Sequence, residues 1–148
     1  MPASIFFTVA EIRPITAEQT RPLRHAVLRP HQPVSALAYR GDDTHDTLHV
    51  GAFAGHEIIG VASMYREGEP GAWRLRGMAV APGLQRTGIG RALFEACVAH
   101  ARARGGTTMW FNARTPAIEF YRRMGCEVRG EVFELPDIGP HVVMWRRL

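Results

Sequence analysis

An α/β fold built on one central sheet is predicted by three features of the sequence. Short runs rich in β-branched and aromatic residues alternate with stretches of helical periodicity. Several of those runs are joined by two- to four-residue turns of glycine, proline and acid, as in "AGH" and "GEPG", which is hairpin spacing. The 148 residues are enough for one hydrophobic core and too few for two ordinary ones, so residues 1–148 read as a single domain.

Taken in order, "SIFFTVAEI" reads as a first strand and "TAEQTRPLRHAVL" as a helix opened by Thr16, with Glu18 and Gln19 in its first turn and Pro22 early in it or bending it. "RPHQPVSALAYRGDDTHD", from Arg29 to Asp46, combines prolines with a Gly-Asp-Asp turn and reads as a loop with one short helical turn. "TLHVGAF" and "EIIGVASMYR", split by Ala54, Gly55 and His56, form an antiparallel hairpin. In "AWRLRGMAV" Trp73, Leu75 and Gly77 alternate with Arg74, Arg76 and Met78, and a glycine inside a strand points to a bulge. A helix over 88–104 places Ile89, Leu93, Ala96, Cys97 and His100 on one face before Gly105 and Gly106 stop it. "TTMWFNA" is a buried strand. Thr115 as N-cap and Pro116 at the first helical position then start a helix that runs to Met124 and ends at Gly125. "CEVRGEVFEL" and "PHVVMWRRL" close the chain as a hairpin around "PDIGP".

Composition narrows the function. No stretch is long enough to cross a bilayer as a helix, and the apolar start lacks a basic leader segment, so a cytoplasmic protein is expected. Cys97 and Cys126 stand apart with no Cys-x-x-Cys spacing, and His45 and His49 have no third partner, so no metal is expected. The net charge of +4 rests on arginine alone, since the chain has no lysine. No helix has a continuous basic face, and no strand interleaves aromatic with basic residues, which argues against nucleic-acid binding.

The informative stretch is "VAPGLQRTGIGRAL". Backbone N–H groups at a glycine-rich helix start, facing the positive end of the helix dipole, are suited to phosphate. Gly83 and Gly88 have Walker A spacing, but Ile89 and Gly90 replace its lysine and hydroxyl; Gly88-x-Gly90 lacks the third glycine of a dinucleotide fingerprint. What remains is Q-x-x-G-x-G, Gln85 to Gly90, opening an apolar helix.

With "LRGMAVAPGLQRTGIGRALFEACVAHARARG" and "WFNARTPAIEFYRRMGCEVRGE" on either side of Gly106, the sequence resembles the GNAT superfamily of acyl-CoA-dependent N-acyltransferases over residues 73 to 131. Its ending, "VFELPDIGPHVVM", is similar to that of a subgroup of small bacterial members. The resemblance implies a mostly antiparallel sheet of about six or seven strands, a splayed fourth and fifth strand, and helices on both faces. It implies acetyl-CoA as co-substrate and transfer of its acetyl group to a primary amine of a small molecule or peptide by direct attack. A CoA-binding sensor that does not turn over is the alternative.

Residue by residue, the resemblance places the pyrophosphate on Gln85, Arg86, Thr87, Gly88, Ile89, Gly90 and Arg91. It lays the pantetheine along Met78, Ala79 and Val80, with an N–H near Met78 or Ala79 facing the thioester carbonyl. Asn112 touches the pantetheine or a water, with a plain turn residue as the alternative, and Tyr121 protonates the departing thiolate, with core packing as the alternative.

One departure matters. An alkyl amine of pKa about 10.4 is neutral in about one molecule in a thousand near pH 7, so removing its proton costs roughly 4 kcal/mol. Many members of the family place a glutamate on the fourth strand for this, yet the matching stretch, Trp73 to Gly77, has no acid. Glu134, Asp137, His141 and His49 are the candidates left. Arg24, Arg29, Arg74 and Arg76 lie on elements that flank the acceptor cleft in the family. They either bind an acceptor that carries an acid or pair with Asp42, Asp43 or Glu134 on the surface. The edges of the closing hairpin are compatible with a homodimer.

Overall fold

The computed structural model describes residues 10–148. The expected first strand, 4–12, therefore lies mostly outside the described residues; β1, Glu11–Pro14, shares Glu11 and Ile12 with it and runs two residues further. Thr16 then caps α1, Ala17–Leu23, through a reciprocal box: its hydroxyl accepts from Gln19 N–H at 3.2 Å, and Gln19 Oε1 accepts from Thr16 N–H at 2.8 Å. Pro22 sits inside α1 without an N–H to give, and the chain continues over Arg24–Leu28 as a wider turn closed by Arg29 N–H on Arg24 O at 3.2 Å. The long loop contains a single 3₁₀ turn, Val34–Leu37.

The hairpin follows as β2, Leu48–Ala54, and β3, Glu57–Arg66, and then β4, Ala72–Val80. Helix α2, Ile89–Ala103, leads to β5, Thr108–Arg114. Thr115 does not cap the next helix: a 3₁₀ turn, Thr115–Ala117, intervenes, and α3 is confined to Ile118–Arg122, two residues short of the expected end. Pro116 stands in the first turn of this segment, where its fixed φ fits and its missing N–H costs no intrahelical bond. Strands β6, Glu127–Leu135, and β7, Gly139–Arg147, complete the chain.

All seven strands form one sheet in the order β1-β2-β3-β4-β5-β7-β6. Every neighbouring pair is antiparallel except β4 and β5. Side chains alternate across β3 and separate two layers. Ala62 and Met64 join the main core with Leu93, Phe94, Cys97 and Val98 of α2, whereas Ser63 and Tyr65 meet Arg24 below α1 on the other face. Among the described residues no helix is long and apolar enough to cross a membrane.

Two irregularities make room for a site. The parallel pairing of β4 with β5 stops after Ala72↔Thr108, Trp73↔Met109 and Arg74↔Trp110, although β4 stays paired with β3 to Val80 and β5 with β7 to Arg114. The two strands splay beyond Arg74. In β4, Gly77 and Met78 together oppose Ala62, between the Arg76↔Ser63 and Ala79↔Val61 pairs. Gly77 has φ +65°, and a β-carbon there would lie 2.9 Å from Arg24 Nε, so this bulge requires glycine on both counts.

Candidate active site

The splay opens into a cavity of about 240 Å³. Met78 from β4, Asn112 from β5 and Tyr121 from α3, three of the residues singled out from the sequence, line it together. Ala79 is buried in the strand behind them, and Val80 ends β4.

The glycine loop stands at that strand end. Gln85 Nε2 donates to Val80 O at 3.0 Å and Thr87 Oγ1 to Leu84 O at 2.5 Å, so the two side chains tie the loop to itself and to β4. Arg86 has φ +66° and Gly88 φ +89°, an alternation of backbone hand that turns successive N–H groups toward one concavity. Gly88 occupies the cap position of α2 with no side-chain cap. Among the described residues, the N–H groups of Arg86, Gly88, Ile89, Gly90 and Arg91 have no backbone hydrogen-bond acceptor, and Gln85 and Arg86 form a turn. Orphan donors at the positive end of a fifteen-residue helix fit a pyrophosphate. A β-carbon at Gly88 would meet nothing within 4 Å, so the concavity opens to solvent. One at Gly90 would stand 3.9 Å from Met78 Sδ, which puts the helix start next to the cavity.

Tyr121 packs its ring on Phe111 at 4.4 Å, Phe120 at 5.0 Å and Phe94 at 6.2 Å, the contacts that the core-packing alternative expects. Among the described residues, its hydroxyl has only Met78 Sδ as partner, at 3.8 Å. Burial pushes this phenol well above its ordinary value, so it is a proton donor with no strong acceptor of its own. The thiols are different. Burial raises Cys97 to about 12 and Cys126 to about 11, so neither is a thiolate nucleophile near neutral pH.

The four candidates for the base separate cleanly. His49 is buried with both ring nitrogens engaged, Nδ1 with Ser63 Oγ at 2.7 Å and Nε2 with Asp42 O at 2.8 Å. Glu134 and Asp137 are exposed and do not line the cavity. His141 lines it and is buried. Its Nδ1 lies 2.9 Å from Gly139 O; a carbonyl only accepts, so Nδ1 carries the hydrogen and Nε2 of the neutral ring is the basic atom.

The arginines also divide. Arg24 is fully buried and forms a fork on Asp42, Nη1 to Oδ2 at 2.9 Å and Nη2 to Oδ1 at 3.2 Å. It donates further to Leu37 O, Ser63 Oγ and Tyr65 OH, while Tyr65 OH donates to Asp42 Oδ1. Burial by itself would raise the Asp42 carboxyl, but the hydrogen bonds from Arg24, Tyr65 and the Tyr39 N–H outweigh it and hold the group below its ordinary value. The pairing with Asp42 expected at the surface is thus an interior one, and Arg24 braces the cavity wall from behind. Arg74 pairs with Glu67 at 2.9 Å. Arg29 and Arg76 line the cavity, and so does Arg114, which sequence reasoning passed over although "NARTP" places it one residue past a strand end.

The model of the acetyltransferase (GNAT) family matches residues 11–126. An uncharacterized N-acetyltransferase of Bacillus subtilis, YitI, is 33% identical over 143 residues, which are 93% of this chain and 96% of the relative. The streptothricin acetyltransferase of Streptomyces lavendulae is 33% identical over 88 residues, 57% of this chain and 47% of that protein. Among solved structures, Ard1 from Thermoplasma volcanium superposes with a TM-score of 0.78 at 16% identity, covering 95% of this chain and 99% of its own. An aminoglycoside 6'-N-acetyltransferase complexed with coenzyme A gives 0.75 at 15% identity, covering 93% and 96%. Matched along most of its length by the family's pattern and by a full-length relative, the chain belongs to the acetyltransferase (GNAT) family and is an acetyl-CoA-dependent acyltransferase.

Proposed function

We propose that the protein transfers the acetyl group of acetyl-CoA to a primary amine of a small molecule, by direct attack within a ternary complex. The observation that carries this reading is the open seam between β4 and β5, with free N–H groups at one end and Tyr121 and His141 on its walls. The names of the streptothricin and aminoglycoside enzymes, which acetylate amine-bearing compounds, support the same reaction class.

Acetyl-CoA supplies an acyl carbon activated as a thioester. The N–H groups of Arg86 to Arg91 hold the pyrophosphate, with Gln85 and Thr87 keeping the loop in shape and Arg86 and Arg91 adding charge. The free edge of Met78, Ala79 and Val80 pairs with the pantetheine as a further strand would, and Asn112 contacts it from β5. An N–H of Met78 or Ala79 donates to the thioester oxygen as charge develops there. His141 Nε2 takes the proton from the attacking nitrogen and Tyr121 gives its proton to the departing sulfur, so the two protons balance. No cysteine takes part, because neither thiol ionises near neutral pH.

The test is thiol release from acetyl-CoA against a panel of amines, with calorimetric CoA binding on the same samples. Tyr121→Phe is expected to lower kcat by about 100-fold or more while CoA binds unchanged. His141→Gln is expected to lower kcat/KM most near pH 7 and to approach the parent at high pH, where the amine is already neutral. Equal activity of either variant at pH 7 refutes that residue's role. CoA binding without turnover of any amine favours a sensor, and failure of CoA to bind overturns the reading of the loop.

A further inference from the structure

The electrostatics of the cavity speak to the acceptor. Among the described residues, four arginines line it, Arg29, Arg74, Arg76 and Arg114, and no aspartate or glutamate does. Arg74 is matched by Glu67 and lies over the Trp110 ring at 4.7 Å. The other three have no carboxylate partner among the described residues, and residues 1–9 contain no acid that would supply one.

These three are held in place by neutral groups. Arg29 Nη1 and Arg114 Nη2 both donate to the same carbonyl, Leu28 O, at 2.9 and 3.0 Å, which brings two guanidiniums side by side. Arg76 Cζ lies over the Tyr39 ring, 4.1 Å from its centroid, and Arg24 Cζ lies over that ring at the same distance. Burial and the neighbouring positive charges lower the pKa of Arg29 and Arg76. Each guanidinium has five donors, and one carbonyl cannot use them. Like charges gathered on one wall, Arg29 and Arg76 partly buried and Arg114 exposed, with their forks unspent are arranged for an anion.

We propose that the acceptor is a small amine that also carries an anionic group, a carboxylate or a phosphate, bound by Arg29, Arg76 and Arg114. This rests on the acetyltransferase reading above and names the substrate class of the same site. Arg114 and His141 are direct partners across β5 and β7, so their side chains leave the sheet on the same face about 5 Å apart. The anion and the amine of the acceptor are therefore a few bonds apart, the size of an amino acid or an aminoalkyl phosphate, which also suits a cavity of about 240 Å³. The same positive field disfavours an ammonium ion and favours the neutral amine, the form that attacks. It works against polycationic acceptors, unlike the aminoglycosides named for one structural neighbour.

The experiment is an initial-rate comparison with saturating acetyl-CoA: amino acids against their amides, 2-aminoethyl phosphate against ethanolamine, and a linear diamine. The proposal expects an acid to exceed its neutral counterpart by about 100-fold or more in kcat/KM, and the better acid tells carboxylate from phosphate. Arg76→Gln and Arg114→Gln each raise KM for that acid about 10-fold or more, leave KM for the amide unchanged, and leave CoA affinity unchanged. Equal rates for amide and acid, preference for the diamine, or an unchanged KM in Arg29→Gln, Arg76→Gln and Arg114→Gln would overturn it. If CoA binds and nothing turns over, the same panel is titrated calorimetrically into the CoA complex: binding of an acid that Arg76→Gln weakens supports the proposal, and no acid binding refutes it. If CoA itself fails to bind, the titration is made on the free protein and read the same way, so failure of the enzyme reading is told apart from failure of the anion site.

Discussion

Replacing Arg24 with methionine removes a fully buried cation of similar length and leaves the Asp42 carboxylate beneath α1 with Tyr65 OH and the Tyr39 N–H as its remaining donors. The fork of two charge-assisted bonds is lost, together with the bonds to Leu37 O, Ser63 Oγ and Tyr65 OH. Breaking a buried pair from one side costs about 3–5 kcal/mol, because a charge is left without its partner. In a domain of this size about 1 kcal/mol moves Tm by roughly 2–4 °C, so the expected fall is roughly 6–20 °C. Asp42→Asn strands the guanidinium instead and is expected to cost a similar amount. The double variant Arg24→Met/Asp42→Asn is then expected to lose clearly less than the two singles summed, since the second change removes what the first stranded. Chemical and thermal denaturation followed by circular dichroism measure all three. A loss under about 1 kcal/mol for Arg24→Met, or strict additivity, would refute the view of this cluster as a coupled charge network. Because Tyr39 and Gly77 pack directly on Arg24, the same variant is expected to raise the acceptor KM while CoA binding at the distant loop stays as it was.

Two further outcomes follow from the same reasoning. Gly88→Ala is expected to cost only about 1–2 kcal/mol of stability, the strain of φ +89° on an L-residue, because its β-carbon meets nothing, yet to weaken CoA binding about 10-fold or more by calorimetry; an unchanged CoA affinity would remove Gly88 from the cradle. Acid lability is the other. Asp42 titrates lower in the fold than in the unfolded chain, so its contribution is complete above about pH 4 and is lost as pH falls through the depressed value, where the unfolded state binds the extra proton. Asp46, held down by its hydrogen bond from Arg66, adds in the same direction. Stability against pH below about 4 is expected to fall less steeply in Asp42→Asn than in the parent, and parallel slopes would contradict the assignment.

Local pattern by itself determined the element order, the two hairpins, the capping of α1 by Thr16, the bulge at Gly77 and the glycine-led start of α2. Each of these depends on neighbours within a few residues: a cap reads its own first turn, a hairpin its own loop, and a left-handed position its own glycine. The resemblance carried by residues 73 to 131 reached further, to the splayed fourth and fifth strands and to a cavity that Tyr121 lines. The exception within local reach was Thr115, where a threonine before proline looked like a cap and the 3₁₀ turn made one unnecessary.

Tertiary structure alone decided the partnerships. Arg24, Asp42, Ser63 and Tyr65 lie up to 41 residues apart and become a network only when α1, the long loop and β3 stack on one face. Ser63 and Tyr65, two apart in a strand whose interior is otherwise apolar, were the one signal the sequence offered. Likewise nothing near "RTPAI" says that Arg114 shares a carbonyl with Arg29, 85 positions earlier in the chain, or that His141 faces the cavity while His49 is consumed by its neighbours. Whether an arginine braces a wall or presents its fork to a ligand depends on which carboxylate reaches it in space. Sequence spacing does not encode that distance, and the fold does.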